Sequence, residues 1–154
     1  MTFNKVPEPG DVPPRSYVYC PVDVSEWRVL IVDDVFDNIS IAEAVLDFNG
    51  AEVKHAVNGV IGLEMVETYK PNLILLDLSM PEMNGWEMHE KLRESSATDS
   101  IPVIALTAHA MQGDEEKVMQ AGFDGYIAKP FSVTTLVADI KTILNKVNTK
   151  ADKE

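Results

Sequence analysis

Two stretches, Val29-Leu30-Ile31-Val32-Asp33-Asp34 and Leu73-Ile74-Leu75-Leu76-Asp77, each join an apolar run to carboxylates. Neither run alternates with polar residues, which is typical of strands buried on both faces of a parallel sheet. The carboxyl ends of such strands meet at one edge of the sheet, where open α/β sheets bind ligands. If the two strands are neighbours, Asp33, Asp34 and Asp77 lie in one cleft.

Three carboxylates in one cleft repel one another. Two like unit charges about 4 Å apart repel by about 4 kcal/mol at an effective dielectric constant of about 20. The cluster therefore calls for a cation. Carboxylate oxygens suit a hard ion such as Mg²⁺, which completes its shell with water and phosphate oxygens. The residues alone predict a Mg²⁺ site at this edge of the sheet.

Composition narrows the class of protein. A chain of 154 residues predicts one domain, and its net charge of −12 argues against a nucleic-acid binder, which needs a basic face. The single Cys20 cannot form an internal disulfide, which fits a reducing compartment. No apolar stretch reaches the roughly 18 residues of a membrane span, and Met1–Pro7 carries no secretory signal. We therefore expect a cytoplasmic protein that binds neither nucleic acid nor membrane.

The first 27 residues differ from the rest of the chain. They hold five of the nine prolines, and proline removes a backbone donor and fixes φ. Residues 1–27 are therefore predicted to be an extended or disordered arm, although its apolar residues Tyr17, Val18, Tyr19 and Trp27 could dock on the domain or a partner. Residues 28–148 are predicted to form the folded domain, and residues 149–154 a charged tail.

From Arg28 the pattern alternates between strands and helices. The predicted strands are Arg28–Asp33, Glu52–Ala56, Leu73–Asp77, Pro102–Thr107 and Tyr126–Ala128. The first predicted helix begins near Asp37, and the second follows an N-cap at Asn58. The third covers Trp86–Glu94 and the fourth covers Asp114–Ala121. The fifth is predicted from the helical spacing of apolar residues between Val133 and Val147. Ile41, Val45 and Phe48 mark an apolar stripe on the first helix. Five such units predict a doubly wound five-stranded parallel sheet with right-handed crossovers.

Four of the five predicted strands end in polar residues on the same edge: Asp33-Asp34, Asp77, Thr107 and Lys129. A single aspartate at a strand end is weak evidence, because aspartate also begins turns and caps helices. Four such ends together indicate a functional cleft.

These residues resemble a known family. Val32-Asp33-Asp34, Leu76-Asp77-Leu78-Ser79-Met80-Pro81, Leu106-Thr107-Ala108 and Ala128-Lys129-Pro130-Phe131 are similar, in the same order, to the motifs of the response-regulator receiver domain of two-component signalling. The resemblance runs from about Arg28 to Val147. It implies the flavodoxin-like strand order 2-1-3-4-5 with five flanking helices.

The resemblance also assigns roles in phosphoryl transfer. It implies that Asp77 accepts a phosphoryl group from a phosphohistidine, and a carboxylate can form such an aspartyl-phosphate. Lys129 would contribute a point charge to the phosphoryl oxygens and Thr107 a hydroxyl donor. By the same resemblance the Lys129-Pro130 peptide bond should be cis.

The resemblance places Mg²⁺ on particular atoms. Asp34, Asp77 and the backbone carbonyl of Ser79 would bind the ion directly, and Asp33 would act through water. Ser79 and His109 would flank the phosphoryl group and tune its lifetime. For these two residues, simple loop exposure is an equally good interpretation.

A conformational switch is also expected. Thr107 would follow the phosphoryl charge, and Tyr126, unless it is simply a core tyrosine, would rotate into the space behind it. The changed surface would comprise the fourth helix, the fifth strand and the fifth helix, with the candidate contact residues Glu115, Glu116, Met119 and Lys141.

The sequence favours a single-domain response regulator that works through protein contacts. It would be an enzyme only toward its own phosphorylation and dephosphorylation. A histidine kinase or histidine phosphotransfer protein would be its partner. A receiver domain cut from a hybrid histidine kinase is the alternative. A phosphatase with an aspartate nucleophile is less consistent with the residues, because Ser79 stands two residues after Asp77, where such enzymes carry a second aspartate.

Overall fold

The five strands form one parallel sheet in the order β2-β1-β3-β4-β5, as the resemblance implied. The computed structural model describes residues 15–80, 82–108 and 114–152. The strands are β1 Arg28–Val32, β2 Glu52–Ala56, β3 Leu73–Asp77, β4 Val103–Thr107 and β5 Gly125–Ala128. All five lie within one residue of their predicted bounds. The fold is therefore the predicted doubly wound α/β sheet.

Five helices connect and flank the strands. They are α1 Phe36–Phe48, α2 Gly59–Tyr69, α3 Gly85–Glu94, α4 Asp114–Gln120 and α5 Leu136–Asp152. Asn58 caps α2 as predicted, because its side chain accepts a hydrogen bond from the Ile61 amide at 2.9 Å. A capping box formed by Asn84 and Glu87 begins α3. Local sequence thus fixes where these two helices start.

The sheet buries both of its faces, which explains the continuous apolar runs. In β1, Val29 and Ile31 face the layer of α1 and α5, whereas Leu30 and Val32 face the layer of α2, α3 and α4. All four side chains are fully buried. Burying a large aliphatic side chain contributes about 1.5–3 kcal/mol, so the two layers hold the strand ends firmly in place.

The structure corrects two details of the helix predictions. In α1 the buried residues are Ile39, Ala42 and Leu46, whereas Ile41 is 39% exposed and Phe48 is 90% exposed. Of the predicted stripe, only Val45 packs against the core, so the prediction was wrong for Ile41 and Phe48. Val133 lies before the start of α5 and is also exposed.

Residues Arg15–Trp27, here called the N-terminal strap, pack on the sheet and on α5. A 3₁₀ turn covers Val24–Glu26, and the rest has no regular secondary structure. Cys20, Val24 and Trp27 are buried in the same apolar cluster as α1 and α5. The Trp27 indole Nε1 donates a hydrogen bond to the Pro21 carbonyl at 2.8 Å. Half of the predicted arm is thus part of the folded unit.

At one margin of the sheet lies β2, with β1 as its neighbour. Glu52, Lys54 and His55 are exposed on this strand, and only Ala56 is buried. Across the described ranges, no helix combines the length and apolar character needed to cross a bilayer.

Candidate functional site

The carboxyl ends of β1, β3 and β5 bring three of the predicted residues into direct contact. The Lys129 Nζ lies 3.1 Å from an oxygen of Asp33 and 3.1 Å from an oxygen of Asp77. Asp33 is fully buried and Asp77 is 4% exposed. Lys129 therefore bridges two carboxylates that come from neighbouring strands in the centre of the sheet.

Local backbone geometry orients both buried carboxylates. Asp33 Oδ1 accepts a hydrogen bond from the Val35 amide at 2.9 Å, and Asp77 Oδ1 accepts one from the Ser79 amide at 3.2 Å. Each aspartate therefore bonds to the amide two residues ahead, as in an Asx turn. This turn points the side chain across the strand end and into the cleft.

Asp34 completes an acidic cluster with the two buried aspartates. One carboxylate oxygen from each of Asp33, Asp34 and Asp77 lies within 4.8 Å of the others, and Asp34 is exposed. Three negative charges and the one positive charge of Lys129 leave two negative charges in the cleft. The donor set of carboxylate oxygens and this net charge both fit a hard divalent cation such as Mg²⁺.

The environment of Asp77 alters its acidity. Burial, and then the charge of Asp33, raises the pKa of Asp77 to about 6, while the Ser79 amide and Lys129 oppose the rise. Burial disfavours the ionised carboxylate, because the charge loses its hydration. Asp77 is therefore a carboxylate at neutral pH that gains a proton easily.

Thr107 lies on β4, the neighbour of β3, and Tyr126 lies on β5, the neighbour of β4. Thr107 ends β4, is 5% exposed and is paired in register with Ala128, so it stands beside Lys129 at the same edge. Tyr126 is partly buried against the layer of α2, α3 and α4. A hydrogen bond with Glu115 raises the pKa of Tyr126. The peptide bond between Lys129 and Pro130 is cis, as predicted.

Ser79 and His109 are the two residues predicted to tune the phosphoryl lifetime. Ser79 is exposed in the loop that follows β3, and its amide bonds to Asp77. His109 lies outside the described residues.

Two residues near the site were not predicted. Asn38 lies in the first turn of α1, and its side-chain Nδ2 donates a hydrogen bond to Asp33 Oδ2 at 3.4 Å. A β-carbon at Gly85 would lie 2.3 Å from the Asp77 carbonyl oxygen and 2.8 Å from the Leu78 Cα. Gly85 therefore lets α3 begin against the backbone that carries Asp77. Its place at the end of the loop after β3 was the available sequence signal.

Known proteins are similar to this chain in sequence and in fold. Residues 29–141 match the response regulator receiver domain. The polar-differentiation response regulator DivK of Brucella anthropi is 38% identical over 116 residues, which cover 75% of this chain and 94% of the relative.

Solved structures agree with the sequence match. The chemotaxis protein CheY4 of Vibrio cholerae superposes with a TM-score of 0.70 at 27% identity, covering 75% of this chain and 96% of that chain. The signal receiver domain of a signal transduction histidine kinase from Syntrophus aciditrophicus gives 0.69 at 29% identity, covering 79% and 92%. Because the family match covers residues 29–141 and the solved structures share the fold, the chain belongs to the response regulator receiver domain family of two-component systems.

Proposed function

We propose that the protein accepts a phosphoryl group from a phosphohistidine onto Asp77 and passes the signal on through protein contacts. The observation that carries this proposal is the contact of Lys129 with both Asp33 and Asp77 at the carboxyl edge of the sheet. A nucleophilic carboxylate, the ammonium group of Lys129 and two further carboxylates meet there. The proposal makes the protein an enzyme only toward its own phosphoryl group.

The Asp77 carboxylate acts as the nucleophile. One of its oxygens bonds to phosphorus while the phosphorus–nitrogen bond of the phosphohistidine breaks, and the electron pair of that bond leaves with the imidazole. Lys129 then follows the negative charge from the carboxylate to the phosphoryl oxygens, and the Thr107 hydroxyl donates to one of them. Phosphoryl transfer depends mainly on such positioning and charge neutralisation. Attack by water on phosphorus would restore Asp77 and release phosphate.

Asp34, Asp77 and the Ser79 carbonyl would hold Mg²⁺, and Asp33 would contact it through water. When bound, the ion would neutralise charge on the phosphoryl oxygens. This assignment is supported by the two net negative charges of the cleft and by the exposure of Asp34 beside two buried carboxylates.

Phosphorylation with a small donor tests the acceptor residue. With acetyl phosphate and Mg²⁺, we expect the intact protein to gain about 80 Da by mass spectrometry, the mass of one phosphoryl group. Asp77→Asn should show no gain, and Asp34→Asn should react far more slowly. Asp47→Asn, which changes an exposed aspartate of α1, is the matched control and should react normally. A label retained in Asp77→Asn would place the acceptor elsewhere.

The output surface is proposed to comprise α4, β5 and α5. Phosphorylation adds about −1.5 to −2 charges in the cleft, and Thr107 and Lys129 are the groups placed to follow that charge. Tyr126 links the fifth strand to α4 through Glu115. Rotation of Tyr126 would break that hydrogen bond and alter the contact surface around Glu116, Met119 and Lys141.

Beryllofluoride, which mimics the phosphoryl group, tests this output. In two-dimensional NMR spectra of the full chain, we expect shifts in the loops around Asp77 and also along α4, β5 and α5. Tyr126→Ala should remove the remote shifts and keep the local ones. Shifts confined to the loops in the unmodified protein would show that the phosphoryl group is relayed without a conformational output.

The partner is proposed to be a histidine kinase or a histidine phosphotransfer protein. The likeness to the DivK response regulators favours an independent response regulator, whereas the likeness to a receiver domain of a histidine kinase favours a role inside a larger kinase. Rates of phosphotransfer from a panel of purified kinases and phosphotransfer proteins distinguish an independent regulator from a domain of a larger kinase. A soluble chain that takes phosphate rapidly from a separate kinase supports the first assignment, and exclusive transfer from a kinase fused to it supports the second.

A further inference from the structure

The N-terminal strap is held by two kinds of contact. Cys20–Trp27, here called the anchor, buries Cys20, Val24 and Trp27 in the apolar cluster. Arg15–Tyr19, here called the latch, has no residue in that cluster, and Val18 and Tyr19 are 57% and 64% exposed. The two halves therefore depend on different forces.

The anchor is fully paired where it meets α5. The Cys20 amide donates to Asn148 Oδ1 at 2.7 Å, and Asn148 Nδ2 donates to the Cys20 carbonyl at 2.9 Å. These two hydrogen bonds are buried, and breaking them would leave unpaired polar groups in the core. The anchor should open only when the domain unfolds.

The latch is held by a buried ion pair and by a longer, exposed hydrogen bond from the Ser16 amide to Asp99 Oδ2 at 3.4 Å. Arg15 Nη1 lies 2.8 Å from Asp124 Oδ1, and the two side chains are only 3% and 1% exposed. Asp124 already has other partners: Arg93 at 3.2 Å and the Val103 amide at 2.9 Å, both on Oδ2. Asp124 therefore remains hydrogen-bonded when Arg15 leaves.

Keeping the ion pair of Arg15 and Asp124 buried costs free energy. Arg15 Nε and Nη2 are buried without a hydrogen-bond partner, and so is Arg93 Nε. Burial, and then the charge of Arg15, lowers the pKa of Arg93 to about 10. A buried pair with unsatisfied donors recovers little net stability, because desolvation offsets the attraction. If the Arg15 side chain moved into water, its repulsion of Arg93 would be removed and its own two unpaired donors would be hydrated.

We propose that the latch opens and closes reversibly while the anchor stays packed. The latch docks on the residue that immediately precedes β5, and Asp124 also lines the groove between β5 and α5. Tyr17 stacks on Arg15 with a distance of 4.3 Å from the guanidinium carbon to the ring centroid, and Lys150 of α5 lies 5.6 Å from the same ring. Opening would therefore change the contacts of both β5 and the end of α5. The strap lies outside residues 29–141, so it is an addition to the shared domain.

Two probes on the full-length protein test the proposal. Hydrogen exchange reports the amides of residues 16–19, and a thiol reagent reports Cys20, which is the only cysteine of the chain. In the unmodified protein we expect the latch amides to exchange much faster than the core of β1, while Cys20 reacts as slowly as global unfolding allows.

Variants separate the two halves. Arg15→Gln should accelerate exchange of the latch amides by about tenfold or more and change Cys20 labelling by less than about twofold. Arg28→Gln is the matched control, because it removes an arginine paired with Glu52 on the surface, and it should leave the latch unchanged. Asn148→Ala should accelerate Cys20 labelling, which shows that the thiol probe senses the anchor.

Two outcomes would overturn the proposal. Unchanged exchange of the latch in Arg15→Gln would show that Arg15 does not hold it. Equal acceleration of latch exchange and Cys20 labelling in that variant would show that the strap opens as one unit.

Discussion

At the scale of single residues, the acidity of Asp77 makes stability depend on pH. Burial first, and then the charge of Asp33, raises the pKa of Asp77 from 3.8 to about 6. Between these values the folded protein retains a proton that the unfolded chain has released. By linkage, the contribution of this group to stability is therefore present at low pH and is lost as pH rises across that window.

We expect this group to lower the free energy of unfolding by about 2 kcal/mol from the lower to the upper end of that window in metal-free buffer. Urea denaturation at a series of pH values measures the effect. Asp77→Asn has no proton to lose, so the difference between the two proteins isolates Asp77. Parallel stability curves across this window would contradict the assigned pKa. Mg²⁺ added at neutral pH should raise the melting temperature by mass action.

Gly85 is the residue whose lack of a side chain lets the site form. In Gly85→Ala the new methyl group meets the backbone of Asp77 and Leu78, which cannot move aside as a flexible side chain can. We expect a loss of about 2–4 kcal/mol of stability in urea denaturation, together with slower phosphorylation.

Gly62→Ala is the matched control. It also introduces a methyl group into a helix, but the two nearest atoms are the terminal Cε and Sδ of Met88, followed by Val32 Cγ2 at 3.2 Å, and none of them is a backbone atom. The flexible Met88 side chain can shift, and alanine favours the helix by about 1 kcal/mol over glycine. A cost as large as that of Gly85→Ala would show that the contact with the Asp77 backbone is not decisive.

At the scale of elements, α1 begins without a side-chain cap. Its N-cap residue is Val35, whose side chain offers no hydrogen-bond acceptor, unlike the side chains of Asn58 and Asn84 at α2 and α3. Val35→Ser should therefore raise the free energy of unfolding by about 0.5–1 kcal/mol, because the hydroxyl can accept from a free amide of the first turn.

Thermal and urea denaturation of this variant measure the gain. Val35→Ala is its control, because alanine shortens the side chain and adds no acceptor. Equal stability of the serine and alanine variants would show that capping is not limiting at this position.

The elements differ in how well the sequence predicts them. The continuous apolar runs predict β1 and β3, because only a strand covered on both faces needs such a pattern. The buried face of α1 was predicted wrongly at Ile41 and Phe48 and correctly at Val45. That helix carries apolar residues on several sides, Ile39, Ile41 and Phe48 among them, so its periodicity alone does not decide which side packs.

The candidate site follows from the same logic. Strand ends predicted the juxtaposition of Asp33, Asp77 and Lys129, because a parallel sheet aligns them at one edge. The strap could not be predicted in this way. Its contact between Cys20 and Asn148 joins positions 128 residues apart, and no local pattern reports such a pairing.

At the scale of the whole molecule, the folding unit is larger than the family domain. The family match covers residues 29–141, whereas the apolar cluster on the α1 and α5 face includes Cys20, Val24 and Trp27. Trp27 is 1% exposed, so its indole is part of the packed core.

A fragment of residues 28–154 should therefore be less stable than the full chain by about 3–5 kcal/mol, the usual cost of losing one large buried aromatic side chain. Urea denaturation of both proteins measures the difference. A fragment that begins at residue 20 keeps the anchor and should recover most of the loss. Equal stability of the 28–154 fragment and the full chain would show that the strap contributes no core packing.

The exposed charges of β2 have a consequence for how the protein behaves at high concentration. An edge strand such as β2 presents unpaired backbone groups that a strand of a second molecule could pair with, and such pairing begins aggregation. Here Arg28 forms an ion pair with Glu52 at 2.9 Å, His55 meets Glu43 at 3.0 Å, and the Lys54 ammonium lies over the ring of Tyr69. A neighbouring molecule would have to strip water from these charged groups before it could add a strand. The rim of the sheet thus disfavours its own extension, and a concentrated solution should stay free of fibrous assemblies.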